Sequence, residues 1–266
     1  ITPDKAMQII TWSETKVTGG KQIRMPLPTP KHMFDYYIDT FCLAIPANME
    51  VIPKSSVLEL SGQLKDGVLT WAAPAGEWLI MRFGQTAKDQ KNKSAPSKST
   101  GLDCDKFSTE ALDYHLDCMF KRLMPSMEKV AKHSKIGLLI DSYETGDQDW
   151  TSDMPAYFEQ KHRYAFYPFL PALANKVVES EESTKRFLFD FRRTRADLFA
   201  ERYYAHFQKR CKEKGIITYT EPYGGNMMEE LQVAQQLDIN MGEFCVARLC
   251  FGQIINITVP LNKWLQ

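Results

Sequence analysis

Three apolar runs, each ending in a carboxylate, punctuate the second half of the chain. They are Ile136-Gly-Leu-Leu-Ile-Asp-Ser-Tyr-Glu144, Ile216-Ile-Thr-Tyr-Thr-Glu221 and the weaker Leu237-Asp-Ile-Asn-Met-Gly-Glu243. Short runs of Leu, aromatic and β-branched residues read as buried strands. Helical patterns separate the three, so strand–helix alternation predicts an α/β fold with a parallel sheet. In such folds the loops at the carboxyl ends of the strands carry the chemistry. Each glutamate taken singly also reads as a solvated strand end. Delivered together to one rim, Glu144, Glu221 and Glu243 suggest an acid/base site.

Residues 1–83 carry a different pattern, β-rich and broken by turns. Met7–Trp12, Tyr36–Ile45, Val68–Trp71 and Trp78–Phe83 are strand-like, and Asp66-Gly67 and Pro74-Ala-Gly76 are turn signals. The polar, Lys/Ser-rich stretch from Gln85 to Thr100 predicts a long loop. From Ser108 the period becomes helical. Ser108-Thr-Glu-Ala is an N-cap signature, and Leu112, Leu116, Met119, Phe120, Leu123 and Met127 share one face. Further helices are expected over Asp153–Tyr164, Ser183–Lys214 and Met227–Gln236. The longest would bury Phe187, Phe191, Leu198, Tyr203 and Phe207, with Gly215 as its C′ residue. Counting the strand at Trp78–Phe83, four parallel strands are expected, about half of an eight-stranded barrel. The expected layout is a β-rich, sandwich-like segment (1–83), a partial (β/α)₈ TIM-type barrel (84–244) and an atypical tail (245–266).

Charge and cysteine usage narrow the chemistry. Lys plus Arg (33) equals Asp plus Glu (33), so no net field draws the chain to nucleic acid. No apolar run approaches the roughly 20 residues that span a bilayer. The six cysteines contain no CxxC pair and the five histidines are scattered, which argues against zinc and for isolated buried thiols. The chain begins at Ile1 with no visible signal peptide and reads as starting within a longer protein.

The segment Asp141-Ser-Tyr-Glu144-Thr-Gly-Asp-Gln-Asp-Trp150 joins a strand end to an acid-rich loop with one tryptophan. That combination suits a sugar: aromatic faces cover the C–H patches of a pyranose while carboxylates bind hydroxyls. Glycoside hydrolysis needs two carboxyl groups, one protonated and one ionised.

A longer set of motifs is more specific. Gly101-Leu-Asp-Cys-Asp-Lys106, Asp141-Ser-Tyr-Glu144 with Trp150-Thr151, Pro168-Phe-Leu-Pro171, Arg186–Thr194, Ala196-Asp-Leu198, Glu221-Pro-Tyr-Gly224 and Met241-Gly-Glu-Phe244 occur in order. Together with Trp71–Trp78 and Arg82-Phe-Gly84, they resemble the core of the α-L-rhamnosidases of glycoside hydrolase family 106. The resemblance implies a (β/α)₈ catalytic domain with β-rich additions, acting on rhamnose-containing glycans or glycosides with inversion. It also implies a calcium ion near the sugar and a periplasmic or secreted setting. On that reading Glu144 is the first choice for a catalytic carboxyl, Glu243 the favoured partner and Glu221 close behind. Asp105, Lys106 and Trp150 become candidate substrate contacts, and Asp141 a candidate metal ligand or a strand-end cap.

Three departures stand beside the resemblance. Lys88–Lys98 is lysine- and serine-rich where the family carries glycine, Cys245 stands where an aromatic usually follows, and Val246–Gln266 continues in no family-like way. The expectation is a truncated barrel. The alternatives are another barrel glycosidase, such as a retaining β-galactosidase-like enzyme, or an inactive or merely sugar-binding remnant.

Overall fold

The computed structural model describes residues 1–33, 45–46, 48–92, 95–225, 227–245 and 256–260. Along the chain the first strands are β1 (Gln8–Thr18), β2 (Lys21–Pro26), β3 (His32–Met33), β4 (Val51–Ile52), β5 (Leu64–Lys65), β6 (Val68–Ala73) and β7 (Glu77–Ala87). Then follow β8 (Gly137–Ile140), β9 (Val177–Val178), β10 (Ile217–Thr220), β11 (Ile239–Cys245) and β12 (Asn256–Pro260). The helices are α1 (Thr109–Ala131), α2 (Met154–His162), α3 (Leu170–Leu173), α4 (Glu181–Leu198), α5 (His206–Lys212) and α6 (Glu230–Ala234). A π-helical stretch, Phe199–Ala205, joins α4 to α5. The strand expected over Tyr36–Ile45 falls on positions 36–44, outside the described residues.

Two compact units divide the chain. One comprises Gln8–Lys88 with Asp149–Thr194; the other comprises Ile1–Met7, Asp89–Gln148 and Arg195–Gln266.

The first unit contains the β-rich segment. β1 and β7 form an eleven-residue antiparallel ladder from Gln8↔Ala87 to Thr18↔Glu77, and β3 flanks β1 on the other side. A second antiparallel sheet runs β2-β6-β5. Between β5 and β6, Asp66 (φ 48) and Gly67 (φ 76) both take positive φ, as a two-residue type I′ hairpin requires. Ile23, Leu27, Leu69, Trp71, Ala73 and Ile80 form a buried cluster of this segment, and Trp71 meets Trp78 edge to face at 5.2 Å. The strand expected over Trp78–Phe83 therefore exists, but its partner is β1, antiparallel, and it is no member of the parallel sheet. Phe158, Phe166, Phe169, Phe187 and Phe191 make a second aromatic core from α2, the turn after it and α4.

The second unit holds the parallel sheet, in the order β12-β11-β10-β8. β8 and β10 pair in parallel from Gly137↔Ile217 to Ile140↔Thr220, and β10 pairs with β11 through Tyr219↔Ile239 and Thr220↔Asn240. β12 adds an antiparallel edge on Met241–Cys245. In this sheet three parallel strands thus stand among the described residues where four were expected, and they do not close into a barrel; β4 and β9 form a separate short parallel pair in the first unit. α1 begins as the sequence predicts: the Ser108 hydroxyl accepts the Ala111 amide hydrogen. Leu112, Leu116 and Phe120 are buried, whereas Leu123, one turn further on, is exposed. Gly215 takes φ +68 after α5, the left-handed C′ position expected of it. Cys104 and Cys211 are buried free thiols, but Cys118 is exposed, a correction to the uniform burial expected. No helix among the described residues is long and apolar enough to cross a membrane.

Candidate functional site

The site is built at the carboxyl ends of β8, β10 and β11, all within the second unit. The Glu221 amide donates to the Ile140 carbonyl at 3.3 Å, so the ladder runs one residue past β10. Asp141 and Glu221 therefore follow in line on adjacent strands, whose separation is about 4.8 Å. Side chains alternate along a strand, so Glu221 leaves the sheet on the face opposite the fully buried Thr218 and Thr220. Glu243 lies one strand further over, two residues beyond Met241 in β11.

The loops after β8 and β10 are tied to each other. The Tyr143 amide donates to the Tyr223 carbonyl at 2.9 Å. Gly224 (φ +101) lies so close to Tyr143 that a Cβ there would collide with the Tyr143 carbonyl oxygen. A Cβ on Gly225 (φ +72) would come within 2.7 Å of the Tyr143 ring. Tyr143 is itself anchored, its hydroxyl donating to the Gly146 carbonyl at 2.8 Å and its ring meeting Phe199 edge to face at 5.1 Å. Glu144 is exposed and accepts from the Ser142 hydroxyl at 3.3 Å. Glu221 is half-buried and accepts from the Tyr223 hydroxyl at 3.0 Å. Asp141 is exposed and accepts from the Ser142 amide at 2.9 Å.

A buried charge pair acts on Tyr143. Lys106 Nζ reaches Asp103 Oδ1 at 2.5 Å, with Cys104 Sγ at 3.5 Å and the Tyr203 ring centroid at 5.1 Å. Burial alone would lower the lysine pKa; the surrounding negative charge, Asp103 included, reverses that and raises it well above the ordinary value. Burial also raises the phenols around it, Tyr203 to about 12 and Tyr143 further still. Asp105 accepts from the Phe107 amide at 2.7 Å and from the Gln148 side chain, whose oxygen takes the Lys106 amide hydrogen at 2.9 Å.

The residues predicted from sequence thus fall into three groups. Asp141 and Glu144 follow β8 and Glu221 follows the neighbouring β10, and Glu243 is placed by its backbone on β11. Asp105 and Lys106 are each only 4% exposed, engaged in internal bonds. Trp150 belongs to the other unit; it is 9% exposed, donates its indole N–H to Gln85 at 3.1 Å and packs on Phe166. Among the described residues no group of three or more His, Cys, Asp or Glu comes together that could hold a metal ion.

Tyr143, Tyr223, Gly224 and Asp103 escape the sequence reading. The string Glu221-Pro-Tyr-Gly224 held part of the signal: proline biases the residue before it toward extended backbone, and glycine permits close approach.

Comparison with known proteins identifies the family. A family model described as alpha-L-rhamnosidase, glycoside hydrolase family 106, matches residues 31–254. A curated protein of Formosa agariphila, named "Putative beta-glucuronidase", is 36% identical over 276 residues, covering 92% of this chain and 24% of its own. The solved structure of a rhamnosidase from Novosphingobium sp. PP1Y superposes with a TM-score of 0.60 at 32% identity, covering 70% of this chain and 18% of that one. The chain therefore spans about a quarter or less of the length of these relatives. With most of its residues matched, it belongs to glycoside hydrolase family 106, the alpha-L-rhamnosidase family.

Proposed function

We propose that this chain carries part of the catalytic centre of a glycoside hydrolase that releases terminal α-L-rhamnose with inversion. The observation that carries the reading is that Glu144 and Glu221 follow the carboxyl ends of the neighbouring parallel strands β8 and β10, with Glu243 on β11 beyond its parallel pairing with β10. Glu144 supplies one catalytic carboxyl; Glu221 on the next strand or Glu243 on the one beyond supplies the other. One protonates the departing glycosidic oxygen. The other takes a proton from the water attacking the opposite face of the ring, which calls for carboxyls about 6.5–9.5 Å apart. The three parallel strands are, on this reading, part of a (β/α)₈ barrel in a secreted or periplasmic protein, and rhamnose-bearing glycans are its substrates. Calcium is proposed from the family resemblance alone, with Asp141 as one ligand, and no step is routed through it.

The relative's name motivates a second reading, a glucuronide as substrate. The buried cation beside Tyr143, Lys106, is already paired with Asp103, which favours the neutral sugar.

Hydrolysis of an aryl α-L-rhamnoside and an aryl β-D-glucuronide by the whole protein that contains this chain tests both. Release of rhamnose alone is expected, falling by about 10³-fold or more in Glu144→Gln, in line with the loss of an essential acid/base group. Full turnover by that variant removes Glu144 from the mechanism, and release of glucuronate in place of rhamnose favours the second reading.

A further inference from the structure

We propose that Tyr223 is a positioning residue that sets the carboxylate of Glu221 and, through its own carbonyl, the loop that presents Glu144. The inference rests on the reading of these glutamates as the working carboxyls, and adds to it the element that fixes one relative to the other.

Pro222 sits at the centre of a tight turn in which the Tyr223 amide donates to the Glu221 carbonyl at 2.8 Å. Proline's restricted φ suits such a three-residue turn. The turn folds the Tyr223 side chain back beside that of Glu221, where its phenol donates to Oε2 at 3.0 Å. The carbonyl of the same residue takes the Tyr143 amide hydrogen at 2.9 Å. Tyr143 immediately precedes Glu144, so one residue holds one carboxylate by its side chain and the neighbour of the other by its backbone.

Gly224 and Gly225 make the approach possible. Both lie at positive φ, and any Cβ on Gly224 would strike the Tyr143 backbone. The far side of Tyr143 is equally fixed, by Gly146 and Phe199. A tyrosine serving only as packing would need neither the phenol–carboxylate bond nor a glycine pair at its shoulder. A hydroxyl donating to a carboxylate stabilises the ionised form and lowers its pKa. Tyr223 therefore sets how readily Glu221 ionises as well as where it points. Among the described residues the charged and titratable groups around this junction include Glu144 and Asp141 on the β8 loop, Asp147 near Gly225, and Lys106, Asp103 and Tyr203 around Tyr143.

The test uses the 266-residue chain with ¹³C-labelled glutamate side-chain carboxyls, the Glu221 signal being assigned by its loss in Glu221→Gln. In Tyr223→Phe the Glu221 pKa is expected to rise by about half a unit to one unit, the worth of one hydrogen bond. The Tyr143 amide should keep its protection from hydrogen exchange in that variant and lose it in Gly224→Ala. An unmoved Glu221 titration in Tyr223→Phe overturns the proposal, as does a Tyr143 amide still protected in Gly224→Ala. Neither readout needs turnover, so they stand apart from the hydrolysis assays: undiminished rhamnoside cleavage by Glu221→Gln would sink the catalytic role of Glu221 alone.

Discussion

Lys106 illustrates how a side chain suggested by sequence as a sugar contact can serve instead inside the protein. Its ammonium and the Asp103 carboxylate are 5% and 12% exposed, so neither charge keeps a full hydration shell. The desolvation cost of such a pair is recovered only while both partners are present. Lys106→Met should therefore leave Asp103 uncompensated and cost about 3–5 kcal/mol in urea unfolding. The double variant Lys106→Met/Asp103→Leu, which removes both charges, should recover most of that loss. A single-variant loss under about 1 kcal/mol would mean that the pair is solvated after all. Position along the chain suggested that Asp105 and Lys106 stand near the sugar, because they follow a loop toward the sheet. It could not reveal that Gln148, far along the chain, closes over both.

At the scale of elements, much of the structure was legible wherever the determinant is local. The Asp66-Gly67 turn, the Ser108 cap and the Gly215 stop each depend on residues within a few positions of one another. Gly215 offers a clean measure of that logic. Nothing lies within 4 Å of a Cβ built there, so Gly215→Ala meets no clash and carries only the backbone penalty of φ +68. A loss of about 1 kcal/mol in denaturant unfolding is expected; no loss would show that the turn relaxes away from positive φ. The misreadings are non-local. Strand β7 was recognised as a strand, but its partner β1 lies at the far end of the β-rich segment, and no local signal chooses a partner. The helical period placed Tyr203 among the buried residues. Tyr203 is half-buried, stacked on Phe199, while its neighbour Tyr204 in the π-helical stretch Phe199–Ala205 is fully buried and Phe207 beyond it is buried as expected. In α1 the apolar period continues to Leu123 and beyond, but a periodic pattern does not record where the neighbouring structure stops. The candidate site divides the same way. Glu144 and Glu221 were visible as the ends of apolar runs, whereas the bond between Tyr143 and Tyr223 exists only once β8 and β10 are side by side.

For the molecule as a whole, residues 1–7 do more than lead into β1. They belong to the unit that holds the parallel sheet, while the chain from Gln8 onward enters the other. Ala6 and Met7 are fully buried. The Met7 amide donates to the Asp103 carbonyl at 3.0 Å, and the Asp105 amide donates to the Lys5 carbonyl at 2.9 Å. Together with the Ala6↔Cys104 bridge, these bonds make a short antiparallel clasp on the segment that carries Asp103 and Lys106. Burial of the Met7 side chain contributes about 1.5–3 kcal/mol and two backbone hydrogen bonds about 1 kcal/mol each. Removing Ile1–Met7 should then cost about 3–5 kcal/mol. The effect should concentrate at 103–107, where amide hydrogen exchange is expected to accelerate first. Unchanged exchange at Asp105 and Phe107 in the shortened chain would show that the segment holds its place without the clasp. Acceleration confined to 103–107, with Tyr143 still protected, would show that the glutamate rim is set by the β8 and β10 loops alone.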